Sequence, residues 1–470
     1  MRVSEIEFEL PHPPGHGSVL DWLARQTAER LPDGEELVRL VVTDSTHGIY
    51  KCEATTFQHG RSGQDSHRIP PGLTMAFRKR RSENTGQFNV AMLIPTGIGA
   101  TIGGHAGDAT PVAQLLASTC DTLILHPNVV NASDINEMPA NALYVEGSVL
   151  CRLVMGTIGL QPVRANRVLV LIHTHSDPVF TNLAINAVNA ARASYGLNCP
   201  RIVEMERPLV MSSNYTGSAR AAGSVAGLDH LFDLLDKHRG EYDAVAIASV
   251  ISTPLHYYSD YFWSDGSMVN PWGGVESMLT HTISSLYDLP SAHAPMLESQ
   301  DVLDIETGVV DPRMAAEVIS VSFLQCVLKG LQRSPRIIAD PETMREPGVF
   351  TARDIACLVI PDGCLGLPTL AALEQGIPVI AVKENQNLMK NDLTALPWAK
   401  GQLHIVENYW EAAGVLGALR AGIDPSSVRR PLPSISRGTG KAGPSKDQKI
   451  NKAQKAENAG RRSLERAPEK

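Results

Sequence analysis

A glycine-rich segment, IPTGIGATIGGHAGDATP at residues 94–111, follows an apolar stretch and precedes an amphipathic one. Its glycines and its two polar candidates are Gly97, Gly99, Gly103, Gly104, Gly107, His105 and Asp108. A strand-to-helix loop of this kind can direct backbone N–H groups at an anion. Neither a Walker A motif nor a complete GxGxxG motif is present. We therefore expect phosphate or carboxylate binding, with a purely structural tight connection as the alternative.

A second polar loop, residues 125–148, follows the next apolar strand and is rich in amide side chains. Long polar loops after strands commonly carry function. We expect His126 to act as an acid or base, and Asn128 and Asn131 to contact the ligand. Because Asn also stabilises turns, part of this set is expected to be structural.

The stretch VLVLIHTHSDP ends a predicted strand with His173, His175 and Asp177. Residues two apart on an extended chain point to the same side, so the two imidazoles could share a metal ion. The pattern resembles the opening of the metallo-β-lactamase motif and the strand-end His-x-His of amidohydrolases. It departs from the former at Pro178, where that motif has a histidine. The alternative is a pair of polar strand-end histidines near a substrate.

A strand–loop–helix–strand segment occupies residues 357–385. The candidates in its two strand-end loops are Asp362, Gly363, Cys364, Gly366 and Glu384. The segment resembles the donor-side element of glycosyltransferases with two Rossmann-like domains. That resemblance implies that Gly363 and Gly366 admit a pyrophosphate and that Glu384 holds a ribose. Asp362 and Glu384 are further acid/base candidates, and a helix N-terminus would stabilise a Cys364 thiolate.

Aromatic residues, which are 5% of the chain, concentrate in residues 256–281. This segment also contains an Asn-Pro-Trp-Gly-Gly turn that opens a predicted helix. We expect a lid or substrate wall, with Trp272 and Glu276 near the ligand. A subunit interface or an ordered surface lobe is the alternative.

The elements that must position these loops alternate between short apolar strands and amphipathic helices. This alternation predicts an α/β fold with Rossmann-like, helix-covered parallel sheets that form a cleft. The predicted buried strands are Phe88–Ile94, Thr122–Leu125, Val168–Ile172, Ala244–Val250, Cys357–Ile360 and Val379–Val382. The predicted helices are Pro111–Ser118, Thr181–Tyr195, Ala219–Lys237, Gly274–Tyr287, Pro312–Leu331, Leu367–Gln375 and Trp410–Ala421. In such folds ligands bind at the carboxyl ends of the strands.

The predicted organisation along the chain has four parts. Residues 1–60 form a small α+β unit, 61–86 a linker, and 87–427 the α/β body, which could have two lobes. Residues 428–470 lose apolar periodicity and are expected to be a disordered basic tail. From Arg429 to the C-terminus there are twelve Lys or Arg and four Asp or Glu, so the rest of the chain is acidic.

The composition limits the classes of protein to which the chain can belong. The seven cysteines show no CxxC spacing, and the first residues lack the apolar core of a signal peptide. No apolar run reaches the ~18 residues that span a bilayer. We therefore expect a cytoplasmic protein that has no membrane partner, and whose acidic body does not bind nucleic acid strongly. The chain could form a homo-oligomer.

Three long segments together resemble one domain-of-unknown-function family that is common in cyanobacteria and occurs in plastid-bearing eukaryotes. They lie at residues 94–141, 270–281 and 361–385, and the resemblance covers roughly residues 1–425. It implies a housekeeping role in oxygenic phototrophs and supplies no reaction, cofactor or catalytic residue. The cofactor therefore stays unassigned.

These observations favour a small-molecule enzyme of transferase or isomerase type that binds an anionic ligand at its glycine-rich loops. One alternative is a metal-dependent hydrolase that uses His173, His175 and Asp177. Another is a non-catalytic binding or assembly factor.

Overall fold

Two parallel sheets and one antiparallel sheet organise the chain, which a computed structural model describes for residues 1–60, 68–133, 135–432 and 434–435. The strands are β1 (Arg2–Pro11), β2 (Glu35–Asp44), β3 (Ile49–Gln58), β4 (Asn89–Met92), β5 (Thr122–Leu125), β6 (Asn131–Ala132), β7 (Ile135–Asn136), β8 (Ala142–Tyr144), β9 (Gly159–Gln161), β10 (Arg167–His173), β11 (Asn198–Met205), β12 (Val210–Tyr215), β13 (Ala221–Ala226), β14 (Ala244–Val250), β15 (Ser291–Met296), β16 (Arg336–Ile338), β17 (Ile355–Pro361), β18 (Leu365–Gly366), β19 (Val379–Val382) and β20 (Leu403–Val406). The helices are α1 (Val19–Ala28), α2 (Thr110–Ala117), α3 (Pro127–Val130), α4 (Gly147–Val154), α5 (Pro178–Tyr195), α6 (Leu228–Lys237), α7 (Leu255–Trp263), α8 (Gly273–Tyr287), α9 (Gln300–Leu303), α10 (Ala315–Ile319), α11 (Leu324–Gln332), α12 (Leu367–Gln375) and α13 (Tyr409–Arg420).

The larger parallel sheet has the strand order β20-β19-β17-β4-β5-β8. Strands β4, β17 and β19 are buried along their whole length, because helices cover both faces of the sheet. The smaller parallel sheet has the order β11-β10-β14-β15. These two sheets contain all six strands expected from apolar runs and confirm the α/β class.

The third sheet is antiparallel, with the order β12-β13-β1-β3-β2-β18. The three strands of the first 60 residues, the predicted α+β unit, form its centre, and Ser18 caps helix α1 between β1 and β2. Strands β12, β13 and β18 come from distant parts of the chain, so this sheet joins the N-terminal segment to the body. Residues Met1–Gly422 group into one compact unit. The predicted boundaries at residues 61–86 stay a prediction.

Two predicted helices differ from the structure. The first half of the Ala219–Lys237 helix is strand β13, because its small residues fit closely between neighbours: a Cβ on Gly223 would lie 2.1 Å from the Ser212 carbonyl oxygen. The Pro312–Leu331 helix is divided into α10 and α11, since the backbone becomes extended at Ser320.

The residues beyond Gly422 belong to a second unit. Its described part contains a short 3-10 turn at Pro425–Val428. Residues 436–470 of the tail predicted to be disordered lie outside the described residues.

A charge cluster is buried in the antiparallel sheet. Arg220 is among the largest fully buried side chains of the described residues. Its Nε donates to Glu53 at 2.6 Å, and its Nη2 donates to Glu5. Arg39 also donates to Glu5, at 3.4 Å, and reaches Ser277 Oγ on α8 at 3.0 Å. Burial alone would raise the pKa of Glu5, but Arg220 and Arg39 hold it below its usual value. The cluster therefore links strands β1, β2 and β3 to helix α8.

We predict that Arg220→Met lowers the free energy of unfolding at pH 7 by about 3–5 kcal/mol, because Glu5 and Glu53 lose their main buried partner. Urea unfolding measures the change. The wild type should lose stability as pH falls through the lowered pKa of Glu5, whereas the variant should lose less, because its unpaired carboxyls are already costly when ionised. The matched control, Arg345→Met, removes an exposed ion pair with Glu342 and should change little. Equal effects of the two substitutions would contradict this account.

Candidate functional site

A cavity of about 280 Å³ lies at the carboxyl ends of both parallel sheets. The loops after β4 and β5 and the start of α4 form one wall. Strand β15 and the residues that follow β14 and β15 form another. Helices α7 and α8 and the segment 302–327 complete the enclosure. Because strand ends converge here, the position matches the usual ligand site of parallel α/β proteins.

His126 lies directly after β5 and is buried. Its Nε2 accepts a hydrogen bond from the Ile94 N–H at 3.1 Å, which leaves Nδ1 to carry the proton of the neutral ring. Burial lowers the pKa of His126 to about 4. The ring therefore enters the cavity wall as a neutral imidazole at pH 7.

Glu146 and His281 form a buried pair on the same wall. Glu146 caps α4 by accepting from the Ser148 N–H at 2.8 Å, and its other oxygen lies 2.8 Å from His281 Nε2. Burial alone would raise the pKa of Glu146, but His281 and the hydrogen bonds from Ser148 hold it below the ordinary value. This carboxylate is ionised at neutral pH.

Glu276, in the first turns of α8, is oriented by a histidine. Its Oε2 lies 3.2 Å from His293 Nδ1, and His293 Nε2 lies 2.9 Å from Ser249 Oγ. The His293 side chain is fully buried, whereas Glu276 retains 23% exposure. Ser249 is fully buried behind the histidine and does not line the cavity, so the arrangement orients a carboxylate and does not activate a serine nucleophile.

Glu317, on the short helix α10, is the centre of another buried hydrogen-bond network of the cavity wall. Its Oε1 accepts from the Ala106 N–H at 2.9 Å, and from Tyr261 Oη and Asn270 Nδ2 at 3.2 Å each. Tyr261 Oη also lies 2.7 Å from His105 Nδ1. Burial raises the pKa of Glu317 to about 7 and lowers that of His105 to about 4.

The described lining of the cavity therefore contains acidic groups without permanently charged basic groups. Three carboxyl groups and four imidazoles line it, and no Lys or Arg of the described chain does. Two of the imidazoles are held neutral by burial, as shown for His105 and His126. The lining offers hydrogen bonds and negative charge, with no permanent cation to balance an anionic ligand.

Half of the catalytic and ligand-binding residues expected from the sequence line this cavity, and one more lies behind its wall. Those that line it are Gly97, Gly104, His105, His126, Asn128, Asn131, Trp272 and Glu276. Asp108 lies behind the wall and accepts from the N–H groups of Gly103 and His105 at 2.9 and 3.3 Å.

The glycine-rich loop already holds a carboxylate of the protein. The N–H groups of Gly103 and His105 bind Asp108, and the N–H of Ala106 binds Glu317, so three of its amides are occupied. Burial raises the pKa of Asp108 to about 6. At Gly104 a Cβ would lie 2.1 Å from the Ala100 carbonyl oxygen, so close packing explains this glycine. Gly99 and Gly103 do not line the cavity.

The two asparagines of the second loop have mainly internal partners. Asn128 Nδ2 donates to the carbonyl oxygens of Ile94 and Gly103, at 2.9 and 2.7 Å, and so fixes the glycine-rich loop against β4. Asn131 exchanges hydrogen bonds with Tyr144 Oη. Trp272 packs against the tilted ring of Tyr258 and edge-to-face against Tyr261, and so supports the wall.

The candidates of residues 357–385 lie outside this cavity. Asp362 accepts from the adjacent Gly363 N–H, and Glu384 is exposed. Burial raises the pKa of Cys364, which disfavours the expected thiolate. Gly366 pairs with Val41 through β18, so the start of α12 is covered by the antiparallel sheet. Cys364 and Gly366 line a second, smaller cavity.

The three metal candidates are not arranged around a common point. His175 Nδ1 accepts from the Asp177 N–H at 2.9 Å, while its Nε2 lies 3.1 Å from the Glu298 carbonyl oxygen. The Asp177 side chain caps helix α5. These hydrogen bonds occupy both nitrogens of His175. Within the described ranges, no three His, Cys, Asp or Glu side chains are grouped so that they could hold a metal ion.

Sequence reasoning missed several polar residues of the cavity. These are Glu146, Asn270, His281, His293 and Glu317. Glu146 follows a strand end, β8, and could have been found by that rule. His293 and Glu317 lie in segments without a site motif, and only their three-dimensional partners reveal them.

In the part of the chain that the structure describes, none of the helices has the length and apolar character needed to cross a membrane.

Comparison with known proteins identifies the family. A family described as "Protein of unknown function (DUF3326)" matches residues 89–429. A Synechococcus protein named "Uncharacterized lipoprotein" is 32% identical over 339 residues, which cover 72% of this chain and 92% of that protein. No solved structure matches. The chain belongs to the DUF3326 family of proteins of unknown function.

Proposed function

We propose that this protein is an enzyme of isomerase type that moves protons on a small polar molecule in the cavity. One observation carries the proposal: the cavity contains carboxyl groups whose pKa values are displaced in opposite directions. The pKa of Glu146 is lowered, and that of Glu317 is raised to about 7. Carboxyls with opposed pKa shifts in one site are typical of paired acid and base roles.

Of the two carboxyls with opposed shifts, we assign the acid role to Glu317. Both oxygens of Glu146 are held, by His281 and Ser148, so we assign the base role to a third cavity carboxyl, Glu276, on its geometry. Glu276 is partly exposed to the cavity and held by His293, so one carboxylate oxygen is oriented and the other is available to a ligand. Glu317 has a pKa near neutral pH, where a general acid is most effective. Its Oε2 receives no hydrogen bond from any residue in the described part of the chain, which leaves that oxygen for a ligand.

The ligand class follows from the lining. Without Lys or Arg on the walls, an anionic ligand would lie beside Glu146 and Glu276 with no permanent counter-charge. The neutral imidazoles of His105 and His126 suit hydroxyl and amine groups. We therefore propose an uncharged or cationic polar ligand in place of the anionic one expected from the glycine-rich loops.

We retain the cytoplasmic location as a proposal. All seven cysteines are free, which agrees with a reducing compartment. Homo-oligomer formation is a further proposal.

We predict that the enzyme incorporates solvent deuterium into its substrate, because the base Glu276 removes a C–H proton and the separate acid Glu317, whose proton equilibrates with D₂O, delivers the replacement. The assay incubates the protein in D₂O with a defined panel of uncharged and cationic polar metabolites and measures deuterium incorporation by mass spectrometry. Glu276→Gln and Glu317→Gln should each slow exchange by about 10²–10⁴-fold. Glu306→Gln, an exposed carboxylate on the segment that contains Glu317, is the matched control. Exchange that survives both cavity substitutions would contradict the assigned roles.

We also predict the pH dependence. Because the acid must be protonated, the rate should fall about tenfold per pH unit above the Glu317 pKa of about 7. A pH profile of kcat/KM for the exchanged substrate measures this fall in rate at high pH. The residual activity of Glu317→Gln should lack it, since the amide does not titrate. If kcat/KM of Glu317→Gln still fell at high pH as it does in the wild type, the ionisation would belong to another group.

A further inference from the structure

A second cavity, of about 120 Å³, adjoins the first on the side of the antiparallel sheet. Side chains of β2, the start of α12 and the segment after β4 form its walls. Its characteristic residues are aliphatic, as Leu40, Val41, Leu93, Leu365 and Met389 illustrate. The second cavity is therefore mainly apolar and lies next to the polar first cavity.

The two cavities share a boundary. Thr96, His126, Gly147, Ser277 and His281 line both of them. At Gly147 a side chain would encroach on the boundary, because a Cβ there would lie 3.1 Å from His281 Nε2. The polar residues of the boundary are thus placed where the head of a ligand in the first cavity would meet a group in the second.

The arginines at the edge of the second cavity do not make it a site for an anion. Arg220 is paired with Glu5 and Glu53, and Arg39 with Glu5 and Ser277. Arg152 donates to Asp288 at 2.7 Å. Each guanidinium therefore has a carboxylate partner. The Nε groups of Arg39 and Arg152 are buried without a hydrogen-bond partner in the described part of the chain, and the rest of the lining is mainly apolar.

We infer that the two cavities form one composite site for a small amphiphile. Its amine or hydroxyl end lies among the carboxyl groups of the first cavity, and its compact apolar chain occupies the second. The inference rests on the proposed function only for the assignment of the polar end. The apolar end follows from the walls of the second cavity and from the shared boundary.

The test is a binding series with unbranched n-alkylamines of two to ten carbons, measured by calorimetry on the full chain. Affinity should rise about fourfold for each added methylene while the chain enters the second cavity, then stay level once it is full. The matching n-alkanols should show the same dependence on length. Affinity that does not depend on length, or the absence of binding by every member, would overturn the inference.

Two variants locate the apolar end. Val41→Phe narrows the second cavity and should shorten the chain length at which affinity stops rising, whereas Leu365→Ala should lengthen it. Val210→Phe, at an exposed valine on the edge strand of the same sheet, is the matched control and should leave the series unchanged. Thermal melts establish that each variant is folded. If the alkyl chain length at which affinity stops rising were the same in both folded cavity variants as in the wild type, the alkyl chain would not occupy the second cavity.

The same series separates this inference from the proposed function. If the length dependence holds but no deuterium exchange occurs, the composite site stands and the catalytic proposal fails. If n-alkanoates bind more tightly than the amines and alkanols, the assignment of the polar end is wrong. If exchange occurs on short polar compounds without any gain from an apolar chain, the composite site is wrong and catalysis stands.

Discussion

Close packing of helix α8 against the antiparallel sheet is the constraint on which the site depends. A Cβ on Gly274 would lie 2.1 Å from the Ala221 carbonyl oxygen, and one on Gly223 would lie 2.8 Å from Val275 Cβ. The buried charge cluster adds a polar tie, from Arg39 to Ser277. Since a displacement of even one ångström can disrupt catalytic geometry, this contact fixes the carboxylate and imidazole groups that α8 presents.

Burial then determines the chemistry of these groups. Desolvation disfavours charge, so it holds His105 and His126 neutral and raises the pKa of Glu317. The pKa of Glu146 is lowered despite its burial, because His281 and Ser148 stabilise its charged form. One enclosed space thus maintains carboxyl groups in different protonation states at the same pH, although each is the same kind of side chain.

Uniformly apolar strands were predictable from the sequence, because a buried parallel strand needs apolar residues on both faces. Strand β15 was missed, since His293 and Pro295 interrupt its six residues; the buried histidine is satisfied by Glu276 and Ser249, which are distant in sequence. The strand-end rule identified His126, and the aromatic segment identified Glu276. The strand-end rule also selected Asp362 and Glu384. Sequence does not show that β18, just after Asp362, joins a different sheet and covers the start of α12, or that Glu384 is exposed.

The most direct measurement is the pKa of Glu317 itself. A ¹³C NMR titration of the glutamate-labelled protein, assigned by comparison with Glu317→Gln, follows its carboxyl resonance. We expect a midpoint of about 7, because burial raises the pKa of Glu317 and the hydrogen bonds from Ala106 and Tyr261 moderate that rise. A midpoint at the ordinary glutamate value of ~4.3 would show a solvated carboxylate and contradict the acid role at the centre of the proposal.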